Sequence, residues 1–166
     1  MPEASTVSRR AVLGGTAGIV FPALGGCGRA PAAPPALDPE LMILVGAITA
    51  EHDLIALYEA VRGAHADLAE RIAPALAHHR EHLAVLRRHY VPGSGRLASP
   101  APAPSPVAQP VPGDRSGALA VLRRAESQAA AARVAEVERA GPGLAQLLAS
   151  IGACEAGHAA ALEGAG

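Results

Sequence analysis

The chain has 166 residues, enough for one domain with a hydrophobic core. All fourteen basic residues are Arg and the net charge is −1, so nothing in the charge balance indicates a nucleic-acid partner. Ala, Leu, Glu and Arg are abundant, while aromatic and β-branched runs are absent, and this composition predicts an all-α protein.

The first 26 residues have the pattern of an export signal. The pair Arg9 and Arg10 precedes an apolar run over 11–24, which is typical of a twin-arginine signal and too short for a comfortable membrane span. The run is followed by Gly-Gly-Cys27, and Leu-Gly-Gly-Cys resembles the lipobox of bacterial lipoproteins. That resemblance implies cleavage before Cys27, acylation of its thiol, and attachment to the outer face of the cytoplasmic membrane. The alternative interpretation is that the Arg pair merely precedes an ordinary apolar segment and that Cys27 has no special role.

Residues 27–37 are rich in Pro and Ala and are predicted to form a flexible tether. The folded domain is predicted over 38–166, with four helices whose limits follow from caps and breakers. Asp38 before Pro39 is a typical helix start, and Gly63 is a helix stop. Pro74 is expected to kink the second helix or to shift its start. The predicted helices span 39–62, 66–90, 115–140 and 143–163.

The segment 91–114 between the second and third helices is Pro-rich and of low complexity. A helix of 25 residues is about 38 Å long, whereas an extended Pro-rich chain of 20 residues spans about 60 Å. The segment is therefore long enough to cross the whole bundle. We predict that the second and third helices run parallel to each other.

Each helix has an apolar stripe with a helical period, and each stripe is interrupted by Glu or His. The interrupting residues are Glu51 on the first helix, His79 and His82 on the second, Glu126 on the third, and Glu155 and His158 on the fourth. A buried carboxylate is costly unless a counter-charge compensates it, and a metal ion would suit both residue types. The predicted apolar core positions are Leu41, Leu44, Ile48, Ile55, Tyr58, Leu68, Ile72, Leu76, Leu83, Leu86, Leu119, Leu122, Ala130, Val134, Val137, Leu144, Leu147, Leu148 and Ile151.

The two halves also form an approximate repeat, since His82 lies 31 positions after Glu51 and His158 lies 32 positions after Glu126. This pattern over 38–166 resembles the ferritin-like four-helix bundle, in which two helices each provide a Glu and two provide Glu-x-x-His. It is especially similar to ferritin-like domains of exported bacterial lipoproteins. The sequence departs from that pattern at His79, where the family has Glu.

The resemblance matches Glu51, His82, Glu126, Glu155 and His158 to five of the six ligand positions and implies that the site binds one or two ions of iron, manganese or zinc. With His79 as the sixth residue, a single zinc, manganese, iron or copper ion is also compatible with the set. For iron or manganese the family-level expectation is O₂ or peroxide chemistry. A periplasmic metal-handling lipoprotein without turnover and a metal-free bundle acting as an envelope scaffold or adaptor are the alternatives. The membrane, reached through the lipid anchor, is the one partner indicated.

Three further residues leave alternatives open. Arg133 either pairs with a core carboxylate, in competition with a metal, or extends to the surface, and the second arrangement is expected. Cys154 is either a soft metal ligand or an inert buried thiol. Tyr58 is either a redox-active neighbour of the site or simply part of the core.

Overall fold

The computed structural model describes residues 38–89 and 110–163. Within these ranges the chain is all-helical and has no strand. The predictions for the signal, the tether, Cys27 and most of the Pro-rich segment lie outside the described residues. The helices are α1 (Pro39–Ala64), α2 (Ala69–His89), α3 (Arg115–Val137) and α4 (Pro142–Glu163), with a 3₁₀ turn (Ala66–Leu68) before α2.

Two of the helices begin at aspartate caps. Asp38 accepts a hydrogen bond from the backbone N–H of Glu40 at 3.0 Å, and Asp114 accepts one from Gly117 at 2.7 Å. Each bond satisfies a backbone donor that the first turn of a helix leaves free, which is commonly worth about 1 kcal/mol. Pro74 lies inside α2, whose α-helical part begins only at Ala69, so the proline occupies its second turn.

Two hydrophobic clusters lie at opposite ends of the bundle. One joins the C-terminal part of α1 to the N-terminal parts of α2 and α3, with Leu162 of α4 packed against it. The other joins the N-terminal parts of α1 and α4 to Leu86 near the end of α2, with Val137 at the end of α3 packed against it. At the first end, His65 Nε2 lies 2.8 Å from the carbonyl oxygen of Pro112. Consequently α2 and α3 run parallel, and α1 and α4 run in the opposite direction.

The core differs from the predicted stripes mainly on α1 and α3, while on α4 only Leu147 among the predicted positions is half-buried. On α1, Ile48 and Ile55 are half-buried, and the buried positions lie on the adjoining line Ala47, Leu54, Leu57 and Val61. On α3, Val134 is 66% exposed whereas Arg133 is 1% exposed. Successive steps of four residues rotate a helical stripe by about 40° each, so the predicted line through 126, 130 and 134 drifts out of the core. The predicted apolar stripe of α2 is buried in full.

Among the described residues, α1 is the one helix long and apolar enough to cross a membrane. A core helix of a folded bundle has the same length and composition. Nine residues of α1 are buried against the other elements, and Glu51 lies in the middle of that face. The packing of α1 therefore accounts for its hydrophobicity.

Candidate metal centre

Between the two hydrophobic clusters, polar side chains from all four helices enter the interior. Glu51, His79, Glu126 and Glu155 are fully buried, and the side chains of His82 and His158 are 15% and 12% exposed. Each of these residues occupies an inward-facing position at which an apolar side chain would contribute roughly 1.5–3 kcal/mol by burial. Their own charges must be balanced within the protein.

His79 joins the carboxylates of α1 and α3. Its Nδ1 lies 2.9 Å from Glu51 Oε2, and its Nε2 lies 2.8 Å from Glu126 Oε1. Burial alone would lower the pKa of His79, but the two carboxylates outweigh burial and raise it to about 9. In the metal-free protein both ring nitrogens are therefore protonated, and an imidazolium bridges Glu126 and Glu51.

The two bridged carboxylates are ionised. Burial favours their neutral form, yet contacts with His158 and His79 hold the pKa of Glu126 down at about 2, and contacts with His79 and His82 lower the pKa of Glu51. Glu126 Oε1 also accepts a 2.5 Å hydrogen bond from the Tyr58 hydroxyl. Burial, followed by the charge of Glu126, raises the pKa of Tyr58, so the phenol remains a hydrogen-bond donor.

The repeat seen in the sequence appears as two groups of donor atoms that share His79. One group is Glu51, His79 and His82, and the other is Glu126, His79 and His158. His82 Nδ1 lies 3.3 Å from Glu51 Oε1, and His158 Nδ1 lies 3.2 Å from Glu126 Oε1. Neither pair is aligned as a hydrogen bond. The first half of the chain thus places one carboxylate and one imidazole on one side of His79, and the second half places one of each on the other side.

Glu155 is buried near these groups but belongs to neither of them among the described residues. Neither of its carboxylate oxygens has a hydrogen-bond partner there. Burial, reinforced by the charges of Glu51 and Glu126 and partly offset by Arg133, raises the pKa of Glu155 to about 8. Near neutral pH the metal-free core therefore holds two carboxylates, one imidazolium and a mostly protonated Glu155.

Arg133 does not extend to the surface, and that expectation is wrong. Its NH1 lies 2.7 Å from Glu136 Oε2, and its Nε lies 3.9 Å from Glu155 Oε1. Gly152 explains how Arg133 remains buried, because a Cβ at position 152 would lie 2.8 Å from Arg133 Cβ. The close approach of α4 covers the aliphatic stem, while the partly exposed Glu136 pairs with the guanidinium. Arg133 is thus a nearby positive charge for Glu155 without being hydrogen-bonded to it.

The donor set fits a transition-metal ion. Within the described residues, the buried atoms without a hydrogen-bond partner include Glu51 Oε1, Glu126 Oε2, both oxygens of Glu155, and Nδ1 of His82 and of His158. Leaving one such group unsatisfied in a protein interior costs about 1–3 kcal/mol. Carboxylate and imidazole together are suitable ligands for iron, manganese or zinc. A cation would satisfy several of these atoms at once and would take the place of the His79 proton.

A third group of donor atoms was not predicted from the sequence. His78 Nδ1, Cys154 Sγ and His158 Nε2 lie together at the edge of the bundle, where α2 meets α4. The sequence left Cys154 as either a soft metal ligand or an inert buried thiol, and it did not indicate His78 as a partner. The available signal was the four-residue spacing of Cys154 and His158, which places both on one helix face. The contribution of His78 depends on how α2 and α4 cross.

No protein-family model, curated protein or solved structure matches this chain. The interpretation of the site therefore depends on its own geometry.

Proposed function

We propose that the protein is an exported, lipid-anchored ferritin-like protein that binds one or two transition-metal ions in its core. The convergence of buried Glu and His side chains from four helices on His79 carries this proposal. When iron or manganese is bound, it would supply O₂ or peroxide chemistry, while bound zinc would supply none.

The helix directions support a ferritin-like bundle. The parallel directions of α2 and α3 support the proposal of a long crossover between these two helices. A single long crossover in this position is a feature of ferritin-like folds. The Pro-rich composition of this segment suits such a role, since an extended chain covers the distance with few residues.

A cavity beside the core also supports a metal centre. The cavity has a volume of about 260 Å³ and lies against Tyr58 and His158, and its other lining residues include Ile72, Pro74 and Leu162. Tyr58 and His158 both contact Glu126, so the cavity adjoins the residues that surround the core carboxylates.

A metal-free scaffold is the second candidate, and His79 favours it. With both of its nitrogens on carboxylates, the His79 imidazolium already provides one of the positive charges that an ion would bring. A helical bundle that has lost its metal would be stabilised by this replacement. The two candidates differ in one measurable property, the metal content of the purified protein.

The test is elemental analysis of the full-length chain, purified from membranes without chelators. We expect close to one or two equivalents of iron, manganese or zinc in the parent protein. The double variant Glu51→Gln/His82→Ala should lose at least one equivalent, because it removes a carboxylate and an imidazole from one side of His79.

The matched control is Glu59→Gln/His89→Ala, which changes the same residue types on the same two helices. Glu59 pairs with Arg62 and Arg80 at the surface, and His89 is exposed at the end of α2. The control should retain the metal content of the parent. Equal metal content in the parent and the core double variant would contradict the core site and favour the scaffold.

A further inference from the structure

His78, Cys154 and His158 form the third group of donor atoms, and their spacing is that of a tetrahedral metal site. Cys154 Sγ lies 3.5 Å from His158 Nε2 and 3.8 Å from His78 Nδ1, and the two nitrogens are 3.0 Å apart. For zinc, with bonds of about 2.3 Å to sulfur and about 2.0–2.1 Å to nitrogen, tetrahedral angles place such donors about 3.3–3.6 Å apart. Small side-chain rotations would give each donor its bond length.

We propose that Cys154, His78 and His158 are a second metal site, which shares only His158 with the carboxylate core and is selective for a thiophilic ion of the Zn²⁺ class. One thiolate and two imidazoles are a preferred set for such an ion and a poor one for Mg²⁺ or Ca²⁺. His78 is exposed, and the other two ligands are partly exposed. The fourth position of the tetrahedron is therefore accessible to water or to a small ligand.

The contacts of His158 support this site because they orient its ring. Its Nε2 faces Cys154 and His78, while its Nδ1 lies 3.2 Å from Glu126 Oε1. Imidazoles that bind metals commonly present their other N–H to a carboxylate, which selects the tautomer and strengthens the ligand. Glu126 is in turn oriented by Tyr58 and His79, so the support for His158 extends across the core.

The imidazole rings of His78 and His158 are also arranged for a shared ligand. Their planes are 9° apart and their centroids 5.2 Å apart.

The proposal is tested by titrating the full-length chain, in detergent and with a phosphine reductant, with Co²⁺ as the spectroscopic probe for zinc. The parent should develop thiolate-to-cobalt charge-transfer absorption in the near ultraviolet and the intense visible bands of tetrahedral cobalt. Cys154→Ser should lose the charge-transfer absorption. His78→Ala should weaken cobalt binding by roughly tenfold or more, since loss even of an outer partner of a ligand has that effect.

Three variants serve as controls. Cys27→Ser should retain the charge-transfer absorption, and His89→Ala should match the parent. Glu51→Gln, which alters only the core groups, should also retain it, so failure of the core site and failure of this site can be told apart. Because His78 is exposed, His78→Ala should keep the helical circular dichroism of the parent.

Two results would overturn the proposed second metal site. One is charge-transfer absorption that persists in Cys154→Ser or is absent from the parent. The other is a folded His78→Ala variant that binds cobalt as tightly as the parent.

Discussion

At the scale of single residues, His79 determines the electrostatics of the core. The ferritin-like pattern that the sequence resembles has a carboxylate at this position, and a third or fourth negative charge there would require a cation. An imidazole can instead be protonated, and the contacts of His79 with Glu126 and Glu51 favour its charged form. The same residue would therefore supply a positive charge to a metal-free core, and its proton would compete with any ion that binds.

Arg133 provides the first prediction at this scale, because it is the nearest fixed positive charge to Glu155. Replacing Arg133 by Leu should destabilise the metal-free protein by about 1–3 kcal/mol, because Glu136 loses the guanidinium that donates to it and Glu155 loses a nearby positive charge. It should also raise the affinity for Zn²⁺ or Mn²⁺, since a competing positive charge is removed. Urea unfolding with a chelator and metal titration would measure the two effects.

The destabilisation should grow with pH. The pKa of Glu155 in the folded protein, about 8, lies above its ordinary value of 4.5, so the folded state holds more protons between these values and loses stability as pH rises. Without Arg133 the pKa of Glu155 rises further, so the stability difference from the parent should widen as the pH rises above about 8, where Glu155 ionises in the folded parent but not in the variant. Glu155→Gln in both backgrounds should remove this widening. A pH-independent difference would show that Arg133 acts through packing alone.

At the scale of the helices, the close contact between α3 and α4 holds Arg133 in the interior. Gly152 permits the contact, because its hydrogen faces Arg133 Cβ at a distance that a methyl group could not occupy. The neighbouring Cβ is attached directly to the backbone of α3 and cannot rotate away. A larger residue at 152 has to move one helix relative to the other, and with it Glu155.

Gly152→Ala should therefore destabilise the protein by about 1–3 kcal/mol through overpacking, less any gain in helix propensity. Gly157→Ala is the matched control in the same helix, since a Cβ there would meet nothing within 4 Å. The control should be neutral or stabilising by up to about 1 kcal/mol, because Ala forms helix better than Gly. Chemical unfolding of both variants would measure their free energies of unfolding. Equal stabilisation of the two variants would show that α3 and α4 can separate without cost.

At the scale of the whole molecule, the proposed attachment to a membrane depends on a segment outside the described residues. The twin-arginine pattern at Arg9 and Arg10 and the Leu-Gly-Gly-Cys sequence ending at Cys27 support it. One acyl chain binds a membrane only marginally, so stable anchoring needs more than one chain. The tether over 28–37 would then separate the bundle from the bilayer.

Cys27→Ala should abolish labelling of the protein by radioactive palmitate and release the bundle from the membrane fraction or leave the precursor uncleaved. Cys154→Ala is the matched control, because it also removes a thiol but lies within α4. The control should be labelled like the parent. Unchanged labelling of Cys27→Ala would show that the lipobox interpretation is wrong.

The sequence by itself determined the all-α class and the limits of the helices to within a few residues, because caps, breakers and helical periodicity act locally. Periodicity also placed Glu51, His79, Glu126 and Glu155 on the inward faces, because each of these polar residues occupies a position within an apolar stripe. It could not place Val134 and Arg133 correctly, because adjoining stripes on a helix differ by a small rotation that only packing selects.

Tertiary structure alone decided which atoms meet. The bridge through His79 depends on the distance between α1 and α3, and the pairing of His78 with Cys154 depends on where α2 approaches α4. Arg133 remained buried because Gly152 brings α4 close enough to cover it. Each of these is a contact between residues far apart in the chain, and its geometry follows from helix crossings that no local pattern encodes.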